Sequence, residues 1–305
     1  MPQWQGKSRG NRLGYSIFVF VVRTVGVAPA YFLLRFVALY YFLFSWSAWK
    51  HIYNYFRRRH HFSFIRSVRS VYANYYVFGQ TILDKIVVMA GITNRFTFDF
   101  DGEEHLHEIV NGGRGGILLS GHVGNWEVAG HLLTRINTRI NVVMYDAEHQ
   151  KIKAYMEEVT GGRNFNVIVI KDDLSHVYAI GEALQKNELV CLHADRYVDG
   201  SNTEPMVFLG GTARFPIGPF ALASTFGVPV SIVFAFKETS RHYHFYGSAP
   251  IDRRDNELKN EFKRRLMANF VGQFEEKVKR YPVQWFNYYN FWSRSESENV
   301  TEFTN

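Results

Sequence analysis

The chain has 305 residues, enough for one large domain or two small ones with a full core. Its single cysteine, Cys191, excludes an intrachain disulfide and any cysteine-built metal framework. The formal charge of +7 conceals a division, because residues 1–100 hold 13 Lys+Arg against 2 Asp+Glu and the remainder holds 22 against 26. A basic, aromatic front on a mildly acidic body predicts an N-terminal region facing an anionic surface, and its apolar context selects anionic lipid over nucleic acid.

Residues 1–14 are polar and basic and read as a lead-in. Residues 15–49 are apolar or aromatic apart from Arg23 and Arg35 among the charges. The run Phe36–Trp46 is shorter than the roughly 20 residues of a membrane span, and extending it back to Val25 encloses Pro29 and Arg35. The segment is therefore expected to anchor the chain as a tilted span or as a helix lying in the interface. A buried helix of a soluble domain fits the same pattern. Arg23 interrupts the apolar stretch and Pro29 follows its small-residue site, so a cleaved signal peptide is not expected.

Lys50, Arg57, Arg58, Arg59, Arg66 and Arg69 follow, interleaved with Tyr53, Phe56, Phe62, Phe64, Ile65 and Val68. This spacing predicts basic amphipathic helix on a bilayer surface, held on the cytoplasmic side. Arg57, Arg58 and Arg59 are the expected contacts for an anionic headgroup. Helical periodicity continues over 71–91.

From Thr97 the pattern changes to an α/β rhythm. Strands are expected at 97–101, 117–120, 140–144, 167–170 and 189–192, with helices at 125–137, 148–159 and 174–185 between the later ones. Strands 231–236 and 243–247 form an antiparallel pair, and 256–279 is a long amphipathic helix. The fold class is thus α/β, a mostly parallel central sheet flanked by helices, behind an N-terminal membrane-associated helical region. The expected organisation is an anchoring region over 1–95, a catalytic domain over 96–292 and a polar tail over 293–305.

The chemistry centres on Ser120-Gly-His122-Val-Gly-Asn125-Trp-Glu127, a strand end, a turn and a helix start. Each helical residue turns about 100°, so two residues five apart on one helix lie about 140° apart and cannot touch. With His122 on the turn and Asn125 as N-cap, the chain can fold the imidazole onto Glu127. That contact would set the tautomer and make the other ring nitrogen a better base. The competing reading is a histidine that packs or caps at a strand end. The cluster His105, His107, Glu108 has no third ligand in place, and a metal site is not expected. Gly112–Gly116 precedes a strand instead of a helix, unlike a phosphate-binding loop, and no Gly-x-Ser-x-Gly elbow occurs.

Gly121-His122-Val-Gly-Asn-Trp-Glu127 resembles the His-x4-Asp/Glu motif of glycerolipid acyltransferases, in the form found in the bacterial lipid A late acyltransferases. Val207–Ala213, Pro216–Pro219 with Leu222-Ala223, Ala194-Asp195-Arg196 and Tyr281-Pro-Val-Gln-Trp285 are similar to further blocks of that family, over roughly residues 15–292. The resemblance implies transfer of an acyl chain from acyl carrier protein, or from acyl-CoA, to a lipid hydroxyl at the inner face of the cytoplasmic membrane. No cofactor is implied. His122 would be the base, Glu127 its orienting partner and Asp195 the later acidic residue. Asn125, Arg163 and Arg196 would contact substrate, although Arg163 also reads as a surface-turn residue and Arg196 as the partner of Asp195 in a structural ion pair. A thioester is already activated, so such an enzyme needs a base, positioning and oxyanion stabilisation and no nucleophilic serine. A thioester hydrolase and a non-catalytic membrane scaffold are the alternatives.

Overall fold

The computed structural model describes residues 12–89, 91–92, 95–128, 136–145, 166–171, 173–198 and 200–292. The described residues begin with four helical segments, α1 (Arg12–Val25), α2 (Val27–Phe44), α3 (Trp46–Asn54) and α4 (Phe64–Met89), with a π-helical turn over Tyr55–Arg59. Gly26, at φ 93°, separates α1 from α2, and Pro29 falls in the first turn of α2, where its missing N–H costs nothing.

α2 has a mean hydropathy of 1.7 and is long and apolar enough to cross a membrane. It is also packed on one side. Ala30, Tyr31, Leu34 and Ala38 are buried, and Gly79 on α4 leaves room for Leu34. The opposite side presents Phe32, Phe36, Tyr40, Leu43 and Phe44, continued by Trp46 on α3, to the outside.

Among the described residues nine strands follow: β1 (Thr97–Asp101), β2 (Gly116–Ser120), β3 (Ile140–Tyr145), β4 (Asn166–Ile170), β5 (Leu189–His193), β6 (Thr203–Phe208), β7 (Gly211–Pro216), β8 (Val230–Lys237) and β9 (His242–Gly247). Interleaved helices are α5 (Glu103–Asn111), α6 (Ser175–Gln185), α7 (Gly218–Phe226) and α8 (Lys259–Arg280). Seven strands form one sheet in the order β1-β9-β8-β2-β5-β3-β4, parallel at every junction except β8/β9. The mostly parallel α/β sheet and its antiparallel pair agree with the sequence expectation. Of the expected 125–137 helix, residues 126–128 are helical and 129–135 lie outside the described residues, as do the expected 148–159 helix and the 293–305 tail.

The hairpin β6/β7 was not anticipated. Its two-residue turn places Leu209 at φ 47° and Gly210 at φ 69°, the paired positive angles that suit a tight hairpin. Leucine is a poor signal for such a turn. Here it is held by core burial and by its N–H, which donates to Glu275 Oε2 at 2.7 Å.

One core joins the front helices to the sheet. Tyr55, Phe56, Val71 and Tyr75 belong to the same apolar cluster as Phe208, Phe270, Phe274 and Trp285. The helical front is therefore packed into the domain that carries the sheet.

Candidate active site

β2 and β5 are adjacent and parallel, in the register that pairs Ser120 with His193. Continuing that register two residues past each strand end brings His122 opposite Asp195. His122 Nδ1 lies 2.7 Å from Asp195 Oδ1. Asp195 is fully buried, while the His122 side chain keeps about 20% of its surface. The pair stands at the carboxyl ends of the strands, where open α/β sheets place their ligands.

Burial works to raise the Asp195 carboxyl, but the imidazole of His122 and the guanidinium of Arg196 outweigh it and hold the group well below the usual carboxylate range. Asp195 is thus an anion at neutral pH, aimed at one ring nitrogen. Such an anion fixes the tautomer with Nδ1–H and leaves Nε2 as the basic nitrogen.

The structure corrects the expected contact between His122 and Glu127. Glu127 instead pairs with Lys85 on α4. Asn125 is also not placed to meet a substrate. It is buried, its Nδ2 donates to Thr81 O at 3.0 Å and to Tyr243 Oη at 3.2 Å, and its Oδ1 accepts the Val128 N–H at 3.4 Å as an N-cap. Arg196 serves the structural option, since its Nε is 3.7 Å from Asp195 Oδ2 and its Nη2 donates to Phe286 O at 2.8 Å. Arg57 and Arg58 are exposed, and Arg57 donates to Phe62 O at 2.9 Å. Arg59 departs from the headgroup expectation, because its guanidinium lies 4.6 Å over the Trp292 ring and against Gly211. Arg163 lies outside the described residues.

The His122 turn is held from three directions. Gly124 donates its N–H to Gln284 O at 2.9 Å, Asn125 donates its own to Ala235 O at 2.8 Å, and Val123 bridges to Trp285. Gln284 in turn pairs its whole amide with the backbone of Lys237, donating at 2.7 Å and accepting at 2.9 Å. Asn74 of α4 donates to Val283 O and Trp285 O. The Pro-x-Gln-Trp segment is therefore the clamp on the turn, a role its local pattern does not reveal.

Gly124 sits at φ 59°, and a Cβ there would come within 1.8 Å of Ala235 O, a backbone atom that cannot give way. Left-handed backbone alone costs a non-glycine residue about 1–2 kcal/mol. Gly124→Ala is expected to displace the His122 turn and to cut catalytic turnover about 100-fold or more. Measured kcat within threefold of the parent would contradict this.

His122, His193 and Asp195 each bring one donor atom, all within 4.8 Å of one another, the one such grouping among the described residues. The hydrogen bond at 2.7 Å and the adjacent Arg196 cation suit an imidazole–carboxylate pair better than a divalent cation. An apolar cavity adjoins the pair. It crosses β1, β9, β8, β2, β5 and β3 and is walled by Ile136, Val142, Cys191 and Phe234, with His193 beside His122 and Trp126 against His193.

A family model described as bacterial lipid A biosynthesis acyltransferase matches residues 68–294. Similar curated proteins are phosphatidylinositol mannoside acyltransferases. The one of Mycobacterium tuberculosis (strain ATCC 25618 / H37Rv) is 27% identical over 123 residues, 40% of this chain and 39% of that protein. The one of Mycolicibacterium smegmatis (strain ATCC 700084 / mc(2)155) is 27% identical over 121 residues, 39% of this chain and 40% of that protein. The chain spans about two fifths of the length of these relatives. Among solved structures, the 1-acyl-sn-glycerophosphate acyltransferase PlsC from Thermotoga maritima aligns over 80% of this chain and 97% of its own at 15% identity, with a TM-score of 0.36.

Proposed function

The chain belongs to the bacterial lipid A biosynthesis acyltransferase family, and on that premise we propose that it moves a fatty acyl chain from a thioester to a hydroxyl of a membrane lipid. The observation that carries the reading is the His122–Asp195 contact at 2.7 Å, a buried anion behind a partly exposed base. His122 Nε2 takes the proton of the lipid hydroxyl as its oxygen attacks the thioester carbonyl. The tetrahedral intermediate then collapses, the C–S bond breaks and the thiolate takes that proton from His122. A thiol of pKa about 8.5 leaves readily, so no covalent acyl-enzyme is needed. The donor is acyl carrier protein bearing its acyl group, or acyl-CoA, and the apolar cavity beside His193 receives the hydrocarbon chain. No cofactor enters the scheme.

The acceptor is an anionic lipid of the cytoplasmic membrane, reached from the cytoplasmic side. The outward stripe of α2 with Trp46 supports seating in the bilayer, and exposed Arg35, Lys50, Arg57, Arg58, Arg66 and Arg69 support attraction to anionic headgroups. Lipid A precursors and mannosylated phosphatidylinositols are both compatible in chemistry, since each presents hydroxyls at an anionic interface.

His122→Ala is expected to lower acyl transfer at least 10³-fold while leaving membrane association and melting temperature unchanged. The assay supplies acyl-ACP or acyl-CoA to membranes from cells lacking the gene and follows the lipids by mass spectrometry. Undiminished transfer by the variant would sink the reading. Free fatty acid with no acylated lipid from the parent enzyme would make it a hydrolase.

A further inference from the structure

His193 ends β5, two residues before Asp195. Its ring centroid lies 4.4 Å from that of His122, with the planes 33° apart, and 4.8 Å from the Trp126 ring, edge to face. The residue also forms part of the cavity wall, whereas His122 does not. His193 therefore stands between the apolar cavity and the base. Its Nδ1 is enclosed with no hydrogen-bond partner, while the residue as a whole is only half-buried.

These facts decide the tautomer. An enclosed, unpaired N–H is rarer and costlier than an enclosed, unpaired acceptor. The proton is accordingly assigned to Nε2. Burial, with His122 and Arg196 nearby, pushes the imidazole well below its ordinary pKa, so the ring is neutral at physiological pH. A neutral imidazole can still polarise a carbonyl by donating its one proton as a hydrogen bond.

Resting on the acyl-transfer reading of His122, we propose that His193 is a second catalytic residue, whose Nε2–H donates to the thioester carbonyl oxygen. The short distance between the two rings makes this arrangement feasible. Imidazoles this close can reach two oxygens of one reacting group, His122 the attacking hydroxyl and His193 the carbonyl oxygen. Both oxygens end on one tetrahedral carbon. As the hydroxyl oxygen bonds to that carbon, its proton passes to His122 and the carbonyl π pair becomes an oxyanion held by His193. On collapse the pair returns to the C=O bond and the thiolate departs with the proton from His122. His193 gains and loses no proton in the cycle. Its place on the cavity wall sets the carbonyl at the end of the bound hydrocarbon chain.

The alternative is that His193 merely packs between His122 and Trp126. Two variants separate the roles. His193→Phe keeps a ring of similar width without a donor, and His193→Gln keeps a donor without the ring. Radiolabelled palmitoyl-ACP is the donor and membranes from cells lacking the gene are the acceptor, with His122→Ala run alongside. The Phe variant is expected to lose 10²–10³-fold in kcat, with KM within threefold and an unchanged melting temperature, and the Gln variant to recover at least tenfold of that loss. A Phe variant within threefold of the parent overturns the proposal. So does equal loss in both variants, since packing alone would then account for it. Failure of the acyl-transfer reading is seen separately, as absent transfer by the parent enzyme.

Discussion

Asp195→Asn is expected to leave the protein folded and to lower kcat roughly 10³–10⁴-fold. The carboxylate is buried and accepts from His122 Nδ1, and in the proposed reaction it holds Nε2 as the base and stabilises the imidazolium that forms. An amide of the same shape lacks the charge and can present its N–H to Nδ1, reversing the tautomer. Glu127→Gln gives the contrast. Glu127 is bound to Lys85 on α4, and loss of that partly exposed pair is expected to change kcat less than tenfold. Steady-state kinetics on both variants decide between the two carboxylates. A Glu127→Gln enzyme weaker than Asp195→Asn would return the orienting role to Glu127.

Asp84→Ala is expected to destabilise the fold by about 3–5 kcal/mol. Asp84 is wholly buried on α4, where Lys237 Nζ lies 2.5 Å from Oδ2 and the hydroxyls of Tyr31 and Tyr243 donate to it. Lys237 also donates to Ser240 O and to Tyr31 Oη, both at 2.9 Å. Burial pushes the Asp84 carboxyl up against the pull of Lys237, and burial pushes the Lys237 ammonium down against the pull of Asp84. Both directions say that desolvation outweighs the pairing. Removing one partner therefore strands the other, while replacing both with Leu and Met restores most of the loss. Urea denaturation of the single and double variants measures this, and a single-variant loss under 1 kcal/mol would refute it. The cluster has a functional side as well. Tyr243 accepts from Asn125, so the same network that seats Tyr31 of α2 also supports the His122 turn.

The strands and helices were legible wherever periodicity is local. β2, β3, β4, β5, β8 and β9 fall where short apolar runs alternate with helical patterns, and α8 follows its spaced Phe and Leu residues. The β6/β7 hairpin was not legible, because Leu209 takes a left-handed conformation only under core packing and the bond from its N–H to Glu275. His193 escaped notice for a related reason. It ends an apolar strand run, and its proximity to His122 comes from pairing across 71 positions of sequence. The clamping roles of Gln284 and Asn74 carry no local signal either, since each acts by hydrogen-bonding a backbone far from it in the chain.

By itself the sequence determined that a histidine sits on a strand-to-helix turn, that a basic and aromatic helical front precedes an α/β domain, and that no serine elbow is present. Those features depend on residue type and short spacing. Only the tertiary structure decided which carboxylate the histidine meets. Within the turn, Glu127 is the nearer acid in sequence, but the helix start turns it toward Lys85. Asp195 reaches His122 because parallel β2 and β5 run in a register that pairs Ser120 with His193, and no local pattern encodes a register between strands about seventy residues apart.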